Sequence, residues 1–221
     1  MQKFDTPAPI SAVMDIPAGR VRFIAADRAD TTVEVLPANA SKSRDVKAAE
    51  QTAVAYANGV LRITASASDR KLFGPSGSVE VTVQLPADSR IEAQADAAEV
   101  RGVGRFGDVA FDGAYRQIKI DEAASIRLTA TDGDVEVGRL NGRAEISTAR
   151  GDIRIAEAVR GTVVLSTQAG DISVTAAEGV SAALDAGTDH GRVSNAVKND
   201  GTTELDIRAT TSRGDITARS L

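Results

Sequence analysis

A Gly-Asp pair that returns at nearly regular intervals constrains this chain more than any other feature. It stands at Gly133-Asp134, Gly151-Asp152, Gly170-Asp171 and Gly214-Asp215, with Gly191-Arg192 in the same slot and an outlying pair at Gly107-Asp108. From Gly133 the spacings are 18, 19, 21 and 23 residues. Seven residues before this Gly stand Ile126, Ala144, Val163, Leu184 and Ile207, and five before it stand Leu128, Ile146, Leu165, Ala186 and Ala209. Two after it stand Val135, Ile153, Ile172, Val193 and Ile216. The positions between are polar or charged, Val164 excepted. Alternation with period two on both sides of a Gly describes two short strands joined at a bend, whereas a helix needs apolar spacings of three and four.

A second Gly, at Gly142, Gly161, Gly179 and Gly201, marks another bend. Each repeat therefore reads strand, bend, strand, bend. An antiparallel meander has the same local pattern. Apolar residues in identical slots of successive repeats favour coils that stack on one another. The expected fold is all-β: a β-solenoid, parallel β-helix-like, of 18–23-residue coils with two strands per coil, spanning residues 91–221. Residues 1–90 form a less regular β N-terminal part continuous with it.

In that first part Ile10, Ala12, Met14 and Ile16 alternate, followed by Gly19 and then Val21 and Phe23, which reads as one further coil. Thr31, Val33 and Val35 make a strand closed by Pro37, and Val79 to Leu85 another closed by Pro86. Asn58-Gly59 between two alternating runs predicts a tight hairpin. Residues 45–52 are the one helix candidate, with Asp45 as its N-cap. Residues 65–78, rich in Ser, Gly and Pro, read as a mobile loop.

Composition removes several functions. With no Cys and one His, disulfides, thiolate metal sites, Cys nucleophiles and most zinc or Ser-His chemistry are excluded. A net charge of −5 lacks the basic stripe of a nucleic-acid binder. No apolar run approaches the roughly 20 residues of a membrane span, and residues 1–10 lack a secretory apolar run, so the expected localisation is cytoplasmic with no membrane insertion. Aromatics are 3% of the chain, so the core is expected from Val, Ile, Leu and Ala, and sugar-stacking platforms are scarce.

Some of these residues carry a resemblance. Phe4-Asp5-Thr6-Pro7, the run from Val21 to Arg28, the run from Asp45 to Thr52, and the Gly-Asp-Ile triplets at Gly151, Gly170 and Gly214 are similar to a bacterial candidate-adhesin family of repeated β-strands of unknown function, the toastrack family. The resemblance covers nearly the whole chain. It implies a β-solenoid-like fold without an assigned enzyme activity, and some members belong to cell-envelope stress systems. The family has no established catalytic motif, so it implies no site residue.

Several rows invite a functional reading. Asp134, Asp152 and Asp171 would stack about 4.8 Å apart and repel. A bound cation would explain them as weak metal candidates, but so would carboxylates that each accept a backbone N–H at the bend and stay solvated, and the latter fits a chain with Arg192 breaking the row. No cofactor is expected. Arg150-Gly151-Asp152 and Arg213-Gly214-Asp215 spell an adhesion tripeptide, yet follow from the repeat slot beside a common Arg. Thr129, Ser147, Ser166 and Thr210 form an outward row that suits either a flat binding surface or a merely solvated strand. His190 stands alone at a bend.

The leading reading is a non-enzymatic binding or scaffolding module that self-associates. An adhesin-like module for carbohydrate or cell-envelope polymer is the alternative, and a carbohydrate-active enzyme the third. A solenoid has two open ends, and the last repeat runs to the C-terminus without a cap. The widening spacing toward that end predicts a wide final coil whose edge, Ile216, Thr217, Ala218 and Arg219, joins a homodimer; an unidentified protein is the other expected partner.

Overall fold

The computed structural model describes residues 1–65, 77–114 and 116–221. Most of the loop expected over residues 65–78 lies outside the described residues. The strands are β1 (Gln2–Asp5), β2 (Ser11–Ala26), β3 (Asp30–Pro37), β4 (Ala53–Ala57), β5 (Val60–Thr64), β6 (Val79–Pro86), β7 (Arg90–Ala114), β8 (Ile118–Asp132) and β9 (Val135–Leu140). They continue as β10 (Ala144–Arg150), β11 (Ile153–Ala158), β12 (Gly161–Ala169), β13 (Ile172–Ala176), β14 (Ala182–His190), β15 (Val193–Ala196), β16 (Leu205–Arg213) and β17 (Ile216–Ser220). Among the described residues there is one helix, α1 (Ser43–Gln51), between β3 and β4.

The repeats do coil. From β7 onward every pairing is parallel, as stacked circuits require and a meander forbids. One ladder runs from residues 118–123 of β8 through β9, β11, β13 and β17 to β15. The other runs from residues 126–132 of β8 through β10, β12 and β16 to β14. Side chains pointing between the two ladders make the core. Val135, Ile153, Ile172 and Ile216 are register partners in one column, each at most 1% exposed.

The order of coils along the axis departs from the order along the chain. The last coil in sequence, β16–β17, lies between β12–β13 and β14–β15. Ile216, Thr217 and Ala218 therefore pair on one side with Ile172, Ser173 and Val174 and on the other with Val193, Ser194 and Asn195; Arg219 pairs with Thr175 and Ala196. The expected free edge at Ile216, Thr217, Ala218 and Arg219 is an inner strand, and the coil that ends the solenoid is β14–β15. Val193 keeps its register opposite Ile216 but is 45% exposed, because no coil follows it among the described residues. The growing repeat spacing is not a wider coil. The extra residues lie in 177–181, which carries the chain past one rung, and in 197–204, which brings it back.

The other end is built differently. The first and second halves of β2 run parallel to β7 and also to β5 and β6 respectively. Beyond them the pairing turns antiparallel: β3 on β6, β1 on β3, β4 on β5. Asn58 (φ 51°) and Gly59 (φ 76°) make the expected hairpin, with both central residues left-handed. The helix appears, but Asp45 is not its N-cap. Lys42 holds that position with no side-chain cap, and Asp45, in the first turn, is buried and accepts the Ser78 N–H at 3.1 Å. Phe23, Phe106 and Phe111 are core residues near the register shift between Gly102 and Arg105, where the regular array gives way to this end.

Candidate binding surfaces

The Gly-Asp bends stack so closely that the slot admits no side chain. A Cβ on Gly170 would lie 2.1 Å from the Gly151 carbonyl oxygen, and one on Gly214 2.0 Å from that of Gly170. Both have positive φ, 154° and 146°. The carbonyls are claimed from within: Thr167 Oγ1 donates to the Gly151 oxygen at 3.2 Å, Thr211 to Gly170 at 3.0 Å and Thr188 to Gly214 at 3.0 Å. Thr148, Thr167 and Thr211 are buried. This inner hydroxyl row was missed from sequence because Thr was counted as polar. The available signal was a β-branched residue three before the Gly in four successive repeats.

The Asp row forms a directional chain of hydrogen bonds. Oδ1 of Asp134 accepts the Asp152 N–H at 2.9 Å, Asp152 that of Asp171 at 2.8 Å, and Asp171 that of Asp215 at 2.7 Å. Oδ1 of Asp215 takes the Arg192 N–H at 2.9 Å, and its Oδ2 takes Arg192 Nη2 at 3.0 Å. Each carboxylate thus clamps the next coil along the axis. Arg192, expected to break the row, closes it. Its backbone N–H first, then its guanidinium, hold the Asp215 carboxyl below the usual carboxylate range. Among the described residues no group of three or more His, Cys, Asp or Glu side chains could hold a metal ion.

The two Arg-Gly-Asp triplets fall on these bends. Arg150 is paired with Asp132 at 2.8 Å, and the carboxylates of Asp152 and Asp215 are engaged as described, so neither triplet projects as a tip. His190, expected at a bend, is instead the exposed last residue of β14, in register with Arg213, and its carbonyl accepts the Gly214 N–H. On the outer face of the second ladder, Thr129, Ser147, Ser166 and Thr210 are register partners in that order. All point outward, three exposed and Ser166 half-buried.

Beside that row, along the second bend, runs a shallow groove lined by Arg90, Ser125, Arg127, Arg143, Glu145 and the exposed Val164, among others. Arg127 faces Glu145 at 3.5 Å across adjacent coils. The Arg143 guanidinium has no hydrogen-bond or ion-pair partner among the described residues, and Thr162 stands beside it on the next coil. Composition and repeat arithmetic gave no hint of this groove, since it depends on which residues of five successive rungs come side by side.

A family model described as Toastrack DUF4097 matches residues 13–219. No curated protein matches the chain. Solved structures similar to it include a candidate cell adhesion protein from Clostridium sporogenes, at 9% identity and a TM-score of 0.42, covering 100% of this chain and 98% of that one. A candidate adhesin from Bacteroides fragilis is 11% identical with a TM-score of 0.44, covering 98% and 95%. No described helix is long and apolar enough to cross a membrane.

Proposed function

This chain belongs to the Toastrack DUF4097 family, and from that premise we propose that it is a non-catalytic binding and scaffolding module. Its coils are locked to one another by the Asp and Thr rows, so its outer faces are rigid and repeat at the strand spacing of about 4.8 Å. Such a surface suits an extended, repetitive partner. The observation that carries the reading is the groove at Arg90, Arg127 and Arg143, which crosses several coils and holds a guanidinium with no partner of its own. A free guanidinium presents a planar fork of donors to a carboxylate or sulfate.

That groove favours an adhesin-like ligand over a purely structural role. A carbohydrate or envelope polymer bearing carboxylate or sulfate groups would set its charges on Arg143 and Arg90 and a hydroxyl on Thr162, away from Asp108, whose carboxylate accepts the Ser125 hydroxyl at 2.5 Å. An array carrying uronate-rich, sulfated and neutral glycans tests this. Binding to the acidic set, reduced at least tenfold in Arg143→Ala and weakened by salt, is the expected result. No preference for acidic over neutral polymers would overturn the groove reading. Release of reducing ends from any of these polymers would make the protein an enzyme instead.

A further inference from the structure

We propose that the β14–β15 end of the solenoid pairs with the same end of a second copy of this chain. Backbone geometry carries the proposal. The Ile216 N–H donates to the Arg192 carbonyl at 2.8 Å. In a parallel ladder this directs the backbone groups of Arg192 and Ser194 toward β17 and turns those of Val193 and Asn195 outward along the axis. The Leu205 N–H likewise donates to the Ser181 carbonyl at 3.1 Å, so the groups of Leu184, Ala186 and Thr188 point outward from β14. The outward groups of Ala182 are taken by Lys198 and Asn199 of the return loop. Those of the next three alternate residues meet no strand among the described residues, since β14 pairs only with β16 and β15 only with β17. The core columns also end in the open, on Val193 at 45% exposed and on the half-buried Leu184 and Ala186.

An unblunted edge of this kind is a template for another strand. The opposite end does not offer one. There β1 has four residues and carries Lys3, paired with Asp30 at 3.1 Å, while β4 has five. Phe4 and Tyr56 close the core behind them with ring centroids 5.4 Å apart. One long open edge per molecule gives a closed two-fold pair and no filament. A two-fold register centred on Ala186 pairs outward groups with outward groups, Leu184 opposite Thr188. It also sets Asp185 opposite Gly187 and Asp189 opposite Ala183, so that no two carboxylates are directly opposed and the nearest pairs are diagonal neighbours. The inference deepens the scaffolding reading and rests on it for its purpose, but the two fail separately, because assembly is measured without ligand and the groove lies elsewhere.

The test is light scattering after size exclusion on the full chain over a concentration series. The expected mass rises to twice the 22.9 kDa of one chain. Two variants probe the edge. Ala186→Pro removes an outward N–H that β14 does not use internally, and Val193→Lys places a charge where the column emerges. Both should stay at one chain's mass at every concentration. Val193→Lys should also melt like dilute wild type, which preserves the test where the proline unfolds the coil. A wild type that remains monomeric when concentrated, a dimer that survives Val193→Lys, or growth beyond two chains would each overturn the proposal.

Discussion

The coils in the middle of the array and the coil at its end obey the same alternation and meet opposite fates. Ile153, Ile172 and Ile216 are at most 1% exposed; Val193, in the same slot and register, is 45% exposed. All four residues of β15 are exposed, whereas β17, one rung inward, is buried at Ile216 and Ala218. A repeat position is therefore buried by two conditions together. Its side chain must face between the ladders, and a coil must lie beyond it on the axis. Periodicity along the chain encodes only the first.

The sharpest way to break this comparison is to truncate matched positions. Ile172→Ala, with coils on both sides, is expected to cost about 2–5 kcal/mol, as large-to-small changes in packed cores do. Val193→Ala is expected to stay within about 0.5 kcal/mol, as at surface sites. Urea unfolding measures both, on protein dilute enough to be monomeric. Similar losses at the two sites would mean that the end coil is as enclosed as the middle ones.

Next in size is the bend. Gly170→Ala drives a Cβ into the Gly151 carbonyl, whereas Gly201, with φ 100° in the return loop, has nothing within 4 Å of its would-be Cβ. Both changes strain a positive φ, at roughly 1–3 kcal/mol. Only the first must also push two coils apart, so it should lower the melting temperature further. Equal shifts would remove close stacking as the reason for the Gly slot.

What was legible beforehand follows the same division. The Asn58-Gly59 hairpin and the Gly-Asp bends were readable because each depends on residues within a few positions of one another, and the columns because the same apolar slots recur in successive repeats. The spatial order of the last two coils was not, since Ile172 passes over Val193, its successor in the repeat, and pairs with Ile216 44 residues away, and Ile216 in turn pairs with Val193. The clue lay in the spacings of 21 and 23, which reflect longer connections and not broader coils. Arg192 shows how one wrong neighbour misleads: placed between Asp171 and Asp215 it interrupts a row of charges, while placed after Asp215 it terminates one. The groove at Arg143 was equally hidden, because its lining combines outward residues that alternation predicts only to be solvated.

A smaller effect separates the inner hydroxyl row from the outer one. Thr167→Val keeps the shape but leaves the Gly151 carbonyl without its side-chain donor. The loss should be about 0.5–1.5 kcal/mol, the net worth of such a bond. Thr210→Val, on the exposed row, should stay within about 0.5 kcal/mol. If the two were equal, the inner row would be packing only.

The smallest expected effect compares the two ends through pH. At the closed end Asp30 receives hydrogen bonds from Arg28 and then Lys3, which lower its pKa to about 2. At the open end Asp215 is lowered by Arg192. A carboxyl depressed in the folded state stabilises it fully above the unfolded value near 3.8, and that contribution fades as pH falls through the folded value. For Asp30 the window is pH 4 to about 2, and losing its charge frees Lys3 on β1. For Asp215 the loss also begins below about pH 4 and frees Arg192 from the last clamp of the Asp row. Both sites are solvent-exposed, so each contribution is modest and screened by salt. Asp30→Asn and Asp215→Asn should each flatten the acid limb of the stability curve while sparing stability differences above it from further pH dependence. Amide exchange then locates the effect: below pH 4, protection should fall first in β15 with wild-type Asp215, and that early loss should already be present at neutral pH in Asp215→Asn. Protection in β15 that ignores both acid and this substitution would show that the Asp row does not hold the end coil, leaving its attachment to the β14–β16 and β15–β17 ladders alone.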